Sequence, residues 1–196
     1  DWTYDKALEY VHKALAIDSL SVYVQLEGDI QFAKQDYPAA LVSYEKVNRT
    51  NLASPATFFS AAKTMELMNA DPKAVLAVMD SCVAHCPQPI SADNAPYVLE
   101  RAQMNMNAGE YRSAMLDYDT YFKAVDGQVN DVFYYYREQA EFKARQYQRA
   151  LDDIAKAIEL NPKELTYRAE QAVINLRVGR YEEALKVLDE VLAIDP

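Results

Sequence analysis

The chain has 196 residues, 51% hydrophobic and 26% charged, a balance that excludes intrinsic disorder and supports a well-packed fold. Its 30 Asp and Glu against 20 Lys and Arg leave a net charge of -10, a field that repels phosphate backbones and anionic lipid. No basic run offsets that field, and no stretch reaches the roughly 18 to 20 apolar residues of a membrane span, so neither nucleic acid nor membrane insertion is expected.

The first helical segment opens at Tyr4, with Ala7 three places on. The chain starts at Asp1 inside what reads as the second helix of a pair, without an initiator Met, so a fragment of a longer protein is expected and its compartment cannot be read. The opening phrase then returns at Tyr37/Ala40, Pro72/Val75, Tyr111/Ala114, Tyr147/Ala150 and Tyr181/Ala184. Copies spaced about 34 residues apart mark stacked repeats, each burying its apolar face against its neighbours.

Ahead of each later copy lies another helical stretch, over residues 22–35, 55–69, 96–108, 132–145 and 165–178. Joints of two or three residues connect each stretch to the next helix, which makes the two antiparallel neighbours. The second helices carry a single apolar stripe: Tyr147, Ala150, Leu151, Ile154, Ala157 and Ile158 fall on one face. Asn161-Pro162 stops that helix, because Pro disfavours helical geometry in the residue before it. The step from Pro72 to Tyr111 is the longest and carries an insertion at residues 87–94. Its polar, Pro-rich composition reads as a loop, and the tolerance of surface loops for insertion favours a spacer over a binding loop.

Numbering each unit so that its Tyr takes place 17 puts a small residue at place 8 (Gly28, Ala102, Ala172) and again at place 20. A bulky residue fills place 24 in most units (Tyr44, Met79, Tyr118, Ile154, Leu188), and Pro takes place 32 in three (Pro87, Pro162, Pro196). In this layout the whole chain resembles the tetratricopeptide repeat (TPR) family. Small residues at 8 and 20 let paired helices approach, and the larger residue at 24 fills the space beside them. Lys63 and Glu138 depart from place 8, so either the register slips by one there or the packing loosens.

The resemblance implies an all-α fold, a right-handed α–α superhelix (TPR solenoid), built as a single array over 1–196. The array divides into a partial unit 1–19 and units at about 20–52, 53–87, 95–126, 131–162 and 165–196. It also implies a non-catalytic, cofactor-free protein that binds a protein or peptide segment in a concave groove lined by first helices. Carried over place by place, the groove holds Gln25, Asp29 and Phe32; Thr57, Ser60, Thr64 and Leu67; then Gln103 and Met106. It continues through Tyr135, Gln139, Phe142 and Lys143 to Val173, Leu176 and Arg177. Places 5 and 9 show neither a basic residue nor Asn, which disfavours the capture of acidic chaperone tails practised by one branch of the family.

Other chemistry finds little support. Cys82, His85 and Cys86 share a helix face, but Cys82 should point into the core, Cys86 sits at a fraying helix end, and no fourth metal ligand is evident. Residues one turn apart also hold their Cβ atoms too far apart for a disulfide. Asp152-Asp153 and Glu182-Glu183 read as solvated faces rather than paired catalytic carboxylates. Two alternatives to groove binding stand: self-association through the last helix, whose Leu185, Leu188 and Leu192 have no capping helix, or service as a module fused to an enzyme such as a glycosyltransferase.

Overall fold

The computed structural model describes residues 2–194; Asp1 and Pro196, with the place-32 reading of Pro196, lie outside the described residues. The chain is an all-α helical repeat with eleven helices among the described residues: α1 (Trp2–Ile17), α2 (Ser21–Ala33), α3 (Tyr37–Asn48), α4 (Pro55–Leu67), α5 (Pro72–Ala84) and α6 (Ala95–Ala108). They continue as α7 (Tyr111–Ala124), α8 (Asp131–Lys143), α9 (Tyr147–Leu160), α10 (Leu165–Arg177) and α11 (Tyr181–Ile194). The residues fall into two compact units, 1–90 and 91–196, and the 87–94 insertion straddles the boundary. Within each unit every helix packs on the next in sequence.

Local chemistry sets the helix ends. Ser54 accepts from the Thr57 backbone N–H while the Thr57 hydroxyl accepts from the Ser54 N–H, a reciprocal cap followed by Pro55 in the first turn. Asp36 and Asp71 cap α3 and α5 in the same sense. All five first helices end on a left-handed residue: Gln35, Asn69, Gly109, Arg145 or Gly179. The next N–H then reaches back to a carbonyl of the last turn, as in Asp36 to Gln31 (2.9 Å), Glu110 to Asn105 (2.8 Å) and Gln146 to Glu141 (2.7 Å). This double closure satisfies carbonyls that a helix end otherwise leaves bare.

The recurring small residues do what their spacing predicts. Ala40, Ala114, Ala150 and Ala184 are fully buried, as nearly is Val75, and the place-24 residues Tyr44, Met79, Tyr118 and Ile154 pack beneath them. The departure at Lys63 is a slip of register. The turn from Asn69 to Pro72 has one residue more than its counterparts, so Ala62, fully buried, takes place 8 and Lys63 turns toward the surface. In consequence Thr57 and Thr64 are buried and are not groove residues, and Ser60 and Leu67 each shift one place. At Glu138 there is no slip. A carboxyl side chain stands in the core position itself, 1% exposed.

The second unit buries charge in a repeated pattern. Asp117 on α7 accepts from Arg101 through both carboxylate oxygens (2.9 and 2.5 Å) and from Asn105 Nδ2 (2.9 Å). One repeat on, Asp153 on α9 accepts in the same way from Arg137 (2.6 and 2.8 Å). Asp153 is therefore not part of a solvated face, although Asp152, Glu182 and Glu183 are exposed. Arg137 also reaches Asp119 (3.1 Å) and lies 3.8 Å over the Phe122 ring, while Arg149 bridges Asp119 and Glu141 (2.7 and 2.8 Å). Bidentate, hydrogen-bonded pairing is what lets such charges survive burial. Asp131 ties α8 to the end of α9 and to α10 by accepting from Asn161 Nδ2 (3.0 Å) and the Tyr167 hydroxyl (2.9 Å).

Candidate functional site

The expected groove residues fall on first helices, seven in the first unit, four of them on the slipped α4, and nine in the second. In the first unit Asp29 accepts a hydrogen bond from the Tyr44 hydroxyl at 2.9 Å, and burial together with that carboxylate keeps the phenol from ionising. Phe32 packs edge-on against Tyr37 with 5.6 Å between centroids. Phe32, Tyr44, Phe59, Ser60 and Lys63 line a pocket of about 180 Å³. Gln25, two turns before Phe32 on α2, is half-buried.

Phe59 and Lys63 were not expected here. The register slip brings them to places 5 and 9, so place 9 carries a cation after all, paired with Glu66 at 2.6 Å. The extra residue in the Asn69–Pro72 turn is the sequence signal that could have placed them. One lysine is not the set of bases and amides that an acidic tail would require.

In the second unit the Tyr135 ring lies 5.1 Å from Tyr167 and 6.3 Å from Tyr136, tilted against both. Phe142 meets Tyr147 edge-on at 5.6 Å, with the Arg177 guanidinium 5.9 Å from its ring on the other helix. Tyr135, Gln139, Phe142 and Arg177 thus share one neighbourhood spanning α8 and α10. Val173 and Leu176 extend it with exposures of 45% and 47%, high for aliphatic side chains. Met106 is half-buried against the cluster of Ala102, Tyr118 and Ala140, whereas Gln103 and Lys143 are exposed. The two anchors Tyr135 and Phe142 are half-buried, so each ring has one part packed in the protein and another open to solvent.

The Cys82–Cys86 segment is structural. Cys82 Sγ donates to the Pro55 carbonyl at 3.1 Å and Cys86 Sγ to the Cys82 carbonyl at 3.5 Å; neither cysteine is in a disulfide. Cys86 is 4% exposed, packed rather than frayed. The His85 ring lies on Phe58 at 4.5 Å and its Nδ1 is 2.8 Å from the Ser81 carbonyl, so the three side chains do not converge on a ligand. No helix among the described residues is long and apolar enough to cross a membrane. On α11 Leu185, Leu188 and Leu192 are 62%, 38% and 60% exposed.

Comparison with known proteins places this geometry among its relatives. The family model described as "Anaphase-promoting complex, cyclosome, subunit 3" matches residues 91–191, nearly the whole second unit. The TPR repeat-containing protein MJ1428 of Methanocaldococcus jannaschii is 24% identical over 202 aligned residues, covering 97% of this chain. The chain spans about a third (34%) of that relative's length. Among solved structures, MamA superposes with a TM-score of 0.69 at 17% identity, over 88% of this chain and 90% of that one. YrrB, described as a TPR protein with an unusual peptide-binding site, superposes at 0.66 and 18% identity, over 86% and 84%. At these identities the structural likeness speaks for the fold alone.

Proposed function

The chain belongs to the tetratricopeptide-repeat family described as anaphase-promoting complex, cyclosome, subunit 3, and from that premise we propose that it is a non-catalytic scaffold holding a protein or peptide segment on its first helices. The observation that carries this reading is the surface formed by α8 and α10. There the half-open rings of Tyr135 and Phe142 stand beside exposed Val173 and Leu176, with Gln139 and Arg177 at hand for polar contacts. Aromatic and Arg side chains supply much of the energy of protein interfaces, and Gln amides pair with an extended backbone. Gln103, Met106 and Lys143 continue the surface within the second unit. Gln25, Asp29 and Phe32 form a corresponding, smaller face in the first. YrrB offers a parallel, since it too is a TPR protein with a peptide-binding site.

The test is Tyr135→Ala combined with Phe142→Ala, measured by capture of the cognate partner and by far-ultraviolet circular dichroism. Capture is expected to be lost with helicity retained; unchanged capture overturns the assignment. A second reading, self-association through α11, is supported by the exposure of Leu185, Leu188 and Leu192. Light scattering that finds only monomer at high concentration removes it.

A further inference from the structure

The second unit holds a positive cleft of which the groove reading uses only Lys143. The turn from α6 to α7 and the turn from α8 to α9 stand side by side around a depression of about 420 Å³, lined by Gly109, Glu110, Tyr111, Arg112, Lys143, Ala144 and Arg145. Three of these residues are cations and one is an acid, in a chain whose net charge is -10.

Elsewhere in this unit three part-exposed guanidiniums are engaged by carboxylates. Arg101 is committed to Asp117, Arg137 to Asp153 and Asp119, and Arg149 to Asp119 and Glu141. Arg112, Lys143 and Arg145 are exposed, and none of their side chains has a hydrogen bond or ion pair among the described residues. Their backbones are nevertheless fixed, because both turns are closed by the 2.8 Å bond from Glu110 to Asn105 and the 2.7 Å bond from Gln146 to Glu141. The cleft therefore presents free charge on a rigid frame, an arrangement that limits the ordering cost of binding.

Helix stabilisation does not account for this cluster. A cation at a helix C-terminus complements the dipole, which covers Lys143 at the end of α8. Arg112 is the second residue of α7, where the dipole disfavours positive charge, and Glu110 makes no side-chain cap there. The same uncapped helix start directs N–H groups toward an incoming anion. Lys143 directly follows Phe142, so the cleft is continuous with the aromatic surface on α8.

We propose that this cleft binds carboxylates of an Asp/Glu-rich stretch in the partner protein, adjoining the part held by Tyr135 and Phe142. The proposal rests on the groove reading for the partner's path, but its electrostatics are testable alone. Counter-charges in the cleft steer encounter and fix register, with binding that weakens as salt rises.

The probe is a fluorescein-labelled hexaglutamate peptide, followed by anisotropy at low and at physiological salt. Binding is expected to weaken with salt and to fall at least about tenfold in Arg112→Gln/Lys143→Gln/Arg145→Gln. The single reversal Lys143→Glu should lower it in the same direction. All these sites are exposed, and circular dichroism checks that the variants fold. Equal binding by the triple variant, or no salt-dependent binding by the native chain, overturns the proposal. A phosphoserine peptide of the same charge binding tenfold more tightly than hexaglutamate reassigns the cleft to phosphate and overturns the carboxylate assignment. The Tyr135→Ala/Phe142→Ala chain should still bind hexaglutamate, so failure of the groove and failure of the cleft give different results.

Discussion

Gly28 of α2 and Tyr44 of α3 approach so closely that a Cβ on Gly28 would lie 2.9 Å from Tyr44 Cε1. The ring cannot swing aside, since it is 2% exposed and its hydroxyl is bonded to Asp29. Ser43 Cβ closes the other side at 3.2 Å. Two effects then compete in Gly28→Ala. The helix gains about 1 kcal/mol in propensity, while overpacking costs about 1 to 3 kcal/mol. We expect a net loss of about 1 kcal/mol by urea denaturation; a stabilised variant would mean that α2 and α3 separate freely.

Asp117→Ala removes the acceptor that holds both Arg101 and Asn105. Asp117 is 4% exposed, so the variant leaves a part-exposed guanidinium and a buried amide without their shared partner. A loss of about 3 to 5 kcal/mol is expected. Hydrogen exchange should locate the weakening at the α6–α7 pair.

Glu138 makes stability depend on pH. Burial first, then the nearby carboxylates of Glu170, Glu141 and Asp153, push its carboxyl from 4.5 up to about 8. The folded chain thus holds this proton more tightly than the unfolded chain does. The resulting stabilisation is full below pH 4.5 and is lost as pH rises through about 8. Glu138→Gln, which keeps the shape without the ionisation, should flatten that decline and raise stability at pH 9 by on the order of 1 to 3 kcal/mol. Parallel stability–pH curves for the two chains would show that Glu138 does not titrate in the core.

Gln35 occupies the left-handed region at φ 65° without a glycine's freedom. Its side chain is exposed, so nothing compensates for the strained backbone. Gln35→Gly should raise stability by roughly 0.5 to 1 kcal/mol, the excess of the left-handed cost over glycine's added chain entropy. A decrease in melting temperature would reverse this account.

The helices, their pairing and their buried small residues were legible because one pattern of spacing governs them all. The slip at α4 was not. It depends on whether the extra residue between Leu67 and Pro72 lengthens the turn or the helix, and both readings put a small residue near place 8. Ala62 and Lys63 are neighbours, and only the left-handed Asn69 decides between them. Buried charge was equally hidden, because Asp152 and Asp153 are chemically alike in sequence. What separates them is Arg137, 16 residues from Asp153 along the chain, whose guanidinium pairs with Asp153. For the candidate site, the positions of Phe32, Tyr135 and Phe142 on first helices were legible from their places, whereas Phe59 was hidden by the slip. The unpaired state of Arg112, Lys143 and Arg145 was not, since it depends on which acids lie within reach in space.

The left-handed residue that closes each first helix also determines where the count of places restarts. The additional residue before Pro72 displaces the sequence phase of α4 against α5, yet each helix still buries its own small residues. Docking is therefore indexed from the turn and not from the period. A hairpin copied together with its turn would seat against its neighbours whatever the spacing around it. The modularity of this chain resides in a few backbone angles, which fix each hairpin's phase independently of the spacing around it.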